Sequence, residues 1–143
     1  MRIFNKKVRF NYEILPEHFE AGISLKGIEA KSFRDNRVNL SDSFVKILTG
    51  EAFLVNANMA TENIKGYNPT RSRKLLLHKN EILSIITKMK QKKLQIVPVS
   101  MYNKGRRIKL ELALGKPKRQ FEKRESIKKK DLDREIEREY KIN

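Results

Sequence analysis

Apolar and polar residues alternate along two segments of the chain. In residues 19–25 every second position is apolar, and the positions between them are glutamate, glycine and serine. In residues 107–114 every second position is leucine or isoleucine. A period of two residues is typical of a strand that buries one face. Both segments are therefore predicted strands, and Gly22 in the first predicts a bulge or a close approach by some other group.

A strong helical period follows residue 78. Ile82, Ile85, Ile86 and Met89 are spaced i, i+3, i+4 and i+7, which places them on one face of a helix. Lysine and glutamine occupy much of the other side. This pattern predicts an amphipathic helix that begins near Lys79.

Three cations stand just before that helix and run directly into three leucines. Arg71, Arg73 and Lys74 are followed by leucine at positions 75–77. A solvated loop would not carry the leucines, and an ordinary core strand would not carry the cations. We interpret the segment as an edge where a buried element meets an anionic partner; a solvated basic face is the alternative.

Shorter patterns predict the remaining elements. Residues 27–35 lose the alternation and predict a short helix with Ile28, Ala30 and Phe33 on one face. Pro16 is expected to end the strand predicted for residues 11–15, and Pro98 predicts a bulge or an edge in the strand predicted for residues 94–101. The other predicted strands are residues 11–15, 44–48, 52–57 and 94–101. The predicted turns are 49–51 and 103–105, each with a glycine, and the predicted loops are 36–42 and 61–69.

About six short strands, their hairpins and flanking helices predict a mainly β fold, a small closed antiparallel barrel. Closure would remove the exposed edges that so small a sheet otherwise leaves. Residues 1–114 are the predicted domain. From Gly115 onward apolar residues become too sparse for a core, so residues 115–143 are predicted to be a basic C-terminal tail that is disordered when free. An i, i+4, i+8 stripe of Leu132, Ile136 and Tyr140 predicts that the tail becomes helical on a partner.

Charge indicates the kind of partner. The chain has 33 Lys and Arg against 17 Asp and Glu, a formal net charge of +16. Self-repulsion of this size indicates a polyanionic counterpart, with nucleic acid first and an anionic membrane surface second. A merely soluble basic domain is the third interpretation. There is no cysteine and no apolar run long enough to cross a bilayer, so we expect a cytoplasmic protein without membrane attachment.

Catalytic patterns are lacking in the sequence. The two histidines are far apart, and His78 with Glu81 is too small a set for a metal site. There is no glycine-rich phosphate loop and no nucleophile elbow. We therefore expect no enzyme activity, no metal and no cofactor. What remains is basic and aromatic: cations neutralise phosphates, and Phe121, flanked by Arg119, Lys123 and Arg124, could stack on a base.

A series of motifs, nearly end to end, resembles the SsrA-binding family, also called small protein B. The motifs are Asn5-Lys6-Lys7, residues 19–23, residues 27–34, Asn39-Leu40, Gly50-Glu51, residues 69–77 and Glu122-Lys123-Arg124. The resemblance implies an oligonucleotide-binding-type barrel that holds the tRNA-like domain of transfer-messenger RNA. It also implies a monomer that is delivered with elongation factor Tu to stalled ribosomes, where the tail enters the empty messenger channel.

The resemblance also implies which residues act. Asn5, Glu20, Gly22, Lys31 and Leu75 match family positions tied to RNA binding or its support; Glu20 could equally serve its own loop. The full predicted RNA-binding set is Asn5, Lys6, Lys7, Arg9, Glu20, Gly22, Lys31, Arg34, Arg71, Arg73, Lys74 and Leu75. The predicted ribosome-contacting tail set is Lys116, Lys118, Arg119, Phe121, Glu122, Lys123, Arg124, Lys128, Lys129 and Lys130.

Two other functions are compatible with parts of the sequence. A generic ribosome-associated barrel, similar to an initiation factor or a ribosomal protein, would explain the charge and the strands but not the basic tail with Phe121. A barrel nuclease would need clustered acids for a metal, and the strand segments do not contain them.

Overall fold

The computed structural model describes residues 1–62, 64–119, 123 and 124. Within them the elements follow one another as β1 (Arg2–Phe4), α1 (Val8–Asn11), β2 (Tyr12–Ile23), α2 (Gly27–Arg34), β3 (Val38–Asn39), β4 (Phe44–Leu48), β5 (Glu51–Val55), β6 (Asn58–Met59), β7 (Arg73–Leu76), α3 (Lys79–Lys92), β8 (Gln95–Lys104) and β9 (Arg107–Pro117).

Seven of these strands form one antiparallel sheet in the order β1-β8-β9-β2-β7-β5-β4, and β3 pairs with β6. The prediction of a mainly β, antiparallel fold with flanking helices is confirmed. The prediction of a closed barrel is wrong, and a likeness to oligonucleotide-binding barrels is not confirmed. In the described chain β1 and β4 remain the two edges of the sheet. The β4 strand comes close to β8, but within the described residues no strand pairing joins the two, and β1 pairs with β8 only at residues 100–102.

Pro16 and Pro98 both lie at irregularities of the ladder. The β2 strand continues through Pro16, because its register with β9 shifts between Ile14 and His18. A proline fits such a bulge, where no ladder N–H is needed. The predicted end of a strand at Pro16 is therefore wrong, whereas the bulge predicted near Pro98 is confirmed by a register shift between Pro98 and Ser100.

The predicted helices both form. In α3, Ile82 and Ile85 are buried, and the first turn is closed by the Glu81 carboxylate, which accepts from the backbone N–H of His78 at 3.2 Å. In α2 the buried residues are Glu29, Ser32 and Phe33. The face predicted for α2 is thus rotated: it shares only Phe33 with the observed one.

Tight turns set the two hairpins. The β4–β5 hairpin turns at Thr49 and Gly50, which both have positive φ, 52° and 73°. The β8–β9 hairpin turns one residue later than predicted, at Gly105 and Arg106, since Lys104 already pairs with Arg107.

One face of the sheet carries the core. Its central residues Ala21, Leu54, Met101, Leu110 and Leu112 are all 0% exposed. The β9 strand continues to Pro117, and its residues 115–117 pair with residues 12–14 of β2. The division into a domain ending at residue 114 and a tail stays a prediction, but the strand itself ends three residues later. No helix within the described residues is both long and apolar enough to cross a membrane.

The close pairing of Gly115 with β2 predicts a steric effect. A Cβ at Gly115 would lie 3.0 Å from the Cβ of Tyr12 and 3.4 Å from Cδ1 of Ile14. We expect Gly115→Ala to lower the free energy of unfolding by roughly 1–3 kcal/mol in urea denaturation, because the crowded strands must separate slightly.

Gly27→Ala is the matched control. A Cβ there meets nothing within 4 Å, at the first residue of α2. It should be neutral or stabilising by roughly 0.4–1 kcal/mol, because alanine restricts the unfolded chain. Equal stabilities for the two variants would contradict the packing described for Gly115.

Candidate nucleic-acid interface

The face of the sheet opposite the core brings together polar side chains from four adjacent strands. Register places Arg2 opposite Tyr102, Tyr102 opposite Lys109, and Lys109 opposite Gly22. The neighbouring row places Phe4 opposite Ser100, Ser100 opposite Glu111, and Glu111 opposite Glu20. We call this face the outer platform. Its members are Arg2, Phe4, Glu20, Gly22, Ser100, Tyr102, Lys109 and Glu111.

Two carboxylates lie directly opposite each other on the outer platform. Like charges in such a cross-strand pair are destabilising unless other groups compensate them. Glu111 accepts from Arg2 Nη1 at 2.7 Å and from Ser100 Oγ at 2.8 Å, and it contacts the His18 ring. Glu20 accepts from the Tyr102 hydroxyl and contacts Lys104 Nζ at 3.5 Å. Each acid therefore has its own set of donors.

These donors keep both acids ionised. The hydrogen bond from Tyr102 lowers the pKa of Glu20, helped by the charge of Lys104. Burial acts to raise the pKa of Glu111, but the hydrogen bonds from His18 and Ser100 outweigh it and the net pKa is lowered. Burial and the bond to Glu20 raise the pKa of Tyr102 to about 12. At neutral pH the two carboxylates are thus pure acceptors, and Tyr102 is a donor.

Arg2 lies over the ring of Tyr102 and helps to hold it in place. The guanidinium carbon of Arg2 lies 4.3 Å from the centre of the Tyr102 ring, within the range of a cation–π contact. Arg2 Nη1 also donates to Ser100 Oγ at 2.7 Å. The bonds of Arg2 therefore fix the tyrosine that binds Glu20.

At Gly22 the outer platform has no side chain of its own, and Leu76 from β7 fills the adjacent space. A Cβ at this position would lie 3.1 Å from the Cβ of Leu76 on β7. The close approach predicted from the sequence is present, and the partner is this leucine, which is 56% exposed.

A second cluster of charges is buried, and it corrects one assignment. The side chain of Arg73 is 0% exposed, so the interpretation of Arg73 as a phosphate contact is wrong. Its guanidinium donates to Glu29 Oε2 at 2.6 Å, to the Ala57 carbonyl at 2.6 Å and to the Pro69 carbonyl at 2.8 Å. An ion removed from water is tolerated only with partners of this kind.

Glu29 is the residue that sequence reasoning missed. It is 0% exposed and also binds Arg71, whose Nε donates to Oε2 at 2.9 Å. Burial acts to raise the pKa of Glu29, but hydrogen bonds from Arg71, from the Lys26 backbone and from Arg73 outweigh it, and the net pKa is lowered. Its spacing from Phe33, i to i+4, was the available signal that it shares the buried face of α2.

The other predicted residues divide into exposed and supporting ones. Asn5 is buried and donates to the Pro98 carbonyl at 2.9 Å, which ties the start of the chain to the β8 bulge. Leu75 is 2% exposed, in the core. Arg71 is partly exposed, and Lys74 is exposed and paired with Glu51 at 3.3 Å. The remaining predicted cations, all on the surface, are Lys6, Lys7, Arg9, Lys31 and Arg34.

The tail set is only partly within the described residues. Lys116 lies in β9 opposite Glu13, and the backbone N–H of Lys118 donates to the Asn11 carbonyl at 3.0 Å. The backbone N–H of Lys123 donates to the Arg119 carbonyl at 3.1 Å, and Arg124 is exposed. The other predicted positions lie outside the described residues: Phe121, Glu122, Lys128, Lys129 and Lys130.

The described residues contain no group of three or more His, Asp or Glu that could hold a metal ion. The arrangement offers instead exposed cations and a platform of ionised acceptors. Such a surface can attract a polyanion and discriminate by hydrogen bonds to its donors.

Comparison with known proteins identifies the family. Residues 2–142 match the model of the family described as SmpB protein. This chain belongs to the SmpB family. The resemblance to small protein B in the sequence is thereby confirmed.

Individual relatives agree along nearly the whole chain. The SsrA-binding protein of Mesoplasma florum is 49% identical over 141 residues, covering 96% of this chain and 94% of that protein. Those of Sulfurihydrogenibium sp. and Malacoplasma penetrans are 51% and 45% identical, covering 96% and 98% of this chain and 91% and 97% of their own lengths.

A solved SmpB structure has the same fold. It is described as "tmRNA-SmpB: a journey to the center of the bacterial ribosome". It matches with a TM-score of 0.69 at 38% sequence identity, covering 88% of this chain and 94% of that one.

The buried Glu29–Arg73 pair predicts a large loss of stability when one partner is neutralised. Glu29→Gln keeps the shape of the side chain but leaves Arg73 buried without a counter-ion. We expect the free energy of unfolding, measured by urea denaturation at pH 7, to fall by roughly 3–5 kcal/mol. The control Glu51→Gln breaks the exposed pair with Lys74 and should cost about 0–1 kcal/mol.

The same variant predicts a difference in pH dependence. The folded pKa of Glu29 is below its ordinary value of 4.5, so its stabilising contribution is present above pH 4.5 and is lost as pH falls through the folded value. Wild-type stability should therefore fall more steeply below pH 4.5 than that of Glu29→Gln. Parallel curves for the two proteins would show that the Glu29 charge does not stabilise the fold.

Proposed function

We propose that this chain binds the tRNA-like domain of transfer-messenger RNA and delivers it to stalled ribosomes for trans-translation. The observation that carries the proposal is the match of residues 2–142 to the SmpB family. The relatives described above are named SsrA-binding proteins, and the description of the similar structure names tmRNA, SmpB and the bacterial ribosome. The SmpB family is an RNA-binding family rather than one of enzymes.

The proposed RNA interface is the outer platform together with the exposed side of α2. On the outer platform, the Glu20 carboxylate supplies hydrogen-bond acceptors, and Gly22 has no side chain. Lys31 and Arg34 are exposed on α2, on the side away from Glu29 and Phe33. Asn5, Leu75 and Arg73 support this interface from within the fold. The surrounding cations that we assign to phosphates are Lys6, Lys7, Arg9, Arg71 and Lys74.

The proposal also includes the partners that the family resemblance implies. Elongation factor Tu accompanies the complex, and the protein enters it as a monomer in the cytoplasm. We assign Lys116, Lys118, Arg119, Lys123 and Arg124 to the ribosome, together with Phe121, Glu122 and Lys128–Lys130. In this proposal the tail after Arg124 is disordered when free and becomes helical in the empty messenger channel of the small subunit.

A generic ribosome-associated RNA-binding protein is not favoured. It would explain the net charge of +16 but not a match to the SmpB family over residues 2–142 of the chain. The two proposals predict selective binding of different RNAs.

Binding measurements on two RNAs test the proposal. We expect the full chain to bind the tRNA-like domain at least tenfold more tightly than a base-paired hairpin of equal length. The affinity should also fall with salt, with a slope of several units in log affinity against log salt concentration, because several phosphates lose their counterions. Equal affinity for both RNAs would favour the generic ribosome-associated protein, and a salt slope near zero would contradict the electrostatic account.

Deletion of the tail tests the division of labour. Because β9 continues to Pro117 and Lys118 bonds to Asn11, the deletion must begin after Arg119. We expect the variant lacking residues 120–143 to bind the tRNA-like domain within about threefold of wild type, since the platform and α2 are retained, and to abolish tagging of stalled chains in a translation assay. Normal tagging by this variant, or loss of RNA binding with the fold intact, would contradict the proposal.

A further inference from the structure

An acid on a phosphate-binding surface needs an explanation. Glu20 is one of 17 acids in a chain with 33 Lys and Arg, and its side chain is 40% exposed on the outer platform. A carboxylate repels phosphate, so at an RNA interface it can gain only from hydrogen-bond donors. RNA offers such donors on its bases and on its 2′-hydroxyl groups.

The free acceptor positions of Glu20 can be counted. A carboxylate has two oxygens with about four acceptor positions. The Tyr102 hydroxyl takes one position on Oε2, and Lys104 Nζ contacts Oε1 at 3.5 Å, the outer limit of a hydrogen bond. Each oxygen therefore keeps an acceptor position for a ligand. With these two positions occupied, the carboxylate can still accept from a ligand that presents two donors.

This pattern distinguishes among the bases. On its Watson–Crick edge guanine presents two adjacent donors, N1–H and the N2 amino group. Adenine and cytosine present one donor next to an acceptor nitrogen, and uracil presents one donor flanked by two carbonyl oxygens. A bidentate carboxylate pairs with both guanine donors but faces an acceptor lone pair in each other base.

The surface beside Glu20 offers an apolar contact for a base. Gly22 lies two residues further along the same face and has no side chain, and the side chain of Leu76 from β7 fills the adjacent space, with its Cβ 3.1 Å from where a Gly22 Cβ would be. Leu76 is 56% exposed, so its side chain is available to pack against a ring. Lys109 lies opposite Gly22 on β9, and we assign it to a phosphate of the same nucleotide.

The carboxylate is also held in place before any ligand arrives. Tyr102 holds one oxygen, Arg2 stacks 4.3 Å from the Tyr102 ring, and Glu111 holds Arg2 at 2.7 Å. This chain of contacts leaves Glu20 fewer orientations than a free surface glutamate has. A preorganised acceptor loses less freedom on binding than a mobile one.

We infer that Glu20 binds the Watson–Crick edge of an unpaired guanine of the bound RNA, and that Tyr102 is the residue that positions it. The inference rests on the proposed function, because that function supplies the bound RNA. In this inference Glu20 selects the base that is bound. Cations that bind phosphates cannot make that selection.

Interference mapping on the tRNA-like domain tests the inference. Transcripts carry inosine with a phosphorothioate tag at a low level in place of guanosine, and bound and free fractions are cleaved with iodine. Inosine lacks the N2 amino group. Loss of a hydrogen bond to a charged group weakens binding about tenfold or more, so one unpaired guanosine should be strongly depleted of inosine in the fraction bound by wild type.

The decisive comparison is with Glu20→Ala and Glu20→Gln. Inosines that disturb the RNA itself interfere with every protein, so only a difference between proteins counts. We expect the one position to lose its interference with both variants while the others keep theirs. An identical pattern for wild type and both variants, or no inosine effect at any unpaired guanosine, would overturn the inference. The glutamine variant keeps the shape of the side chain and covers the case in which the alanine variant does not fold.

The positioning role has its own readout. Tyr102→Phe should weaken binding of the normal RNA several-fold, and should have no further effect when Glu20 is already alanine. The control Tyr12→Phe removes an exposed hydroxyl that bonds to Gln95 Oε1 at 3.0 Å and should leave binding unchanged. Additive effects of the Tyr102 and Glu20 changes would show that Tyr102 does not act through Glu20.

Failure of the inference and failure of the proposed function give different results. If wild type does not prefer the unmodified tRNA-like domain to a hairpin of equal length, both fall. If it prefers that RNA but shows no Glu20-dependent inosine effect, only the choice of guanine is wrong.

Discussion

A buried ion pair, Glu29 with Arg73, is the constraint on which the arrangement of the surface depends. Two charges without access to water must satisfy each other and their remaining bonds inside the protein. Arg73 does so by reaching the carbonyls of Ala57 and Pro69 as well as Glu29, which ties β7, the loop before it and α2 together. Because Glu29 must point inward, the other side of α2, with Lys31 and Arg34, must point outward.

The exposed charges perform two different tasks in this account. Cations on the surface attract RNA at a distance, but they bind any phosphate and therefore select little. The ionised acids of the outer platform repel phosphate and select donors instead. Their mutual repulsion across β2 and β9 is relieved by Tyr102, Lys104, Arg2 and His18. The platform can therefore hold two acids side by side in a strongly basic protein.

Local periodicity predicted much of the fold, but features that depend on contacts between distant residues could not be predicted from it. Helix α3, the β4–β5 hairpin and the bulge near Pro98 follow from spacing, glycine and proline within a few residues. Closure of the sheet depends on whether distant edges meet, and no local pattern records that. The burial of Arg73 was readable in part, because in a strand it shares a face with the core residue Leu75, whereas Lys74 does not. The pairing of Arg73 with Glu29, 44 residues away, was not readable from the sequence.

The most direct test of the central claim is a nuclear magnetic resonance titration of the isotope-labelled full chain with the tRNA-like domain. The account predicts that amide signals change on the outer platform, at Glu20, Gly22 and Tyr102, and on the exposed side of α2. It also predicts that the guanidinium signal of Arg73 stays as in the free protein, because that group remains paired with Glu29. Changes confined to the β4 edge, or a strong change at the Arg73 guanidinium without changes on the platform, would contradict the account.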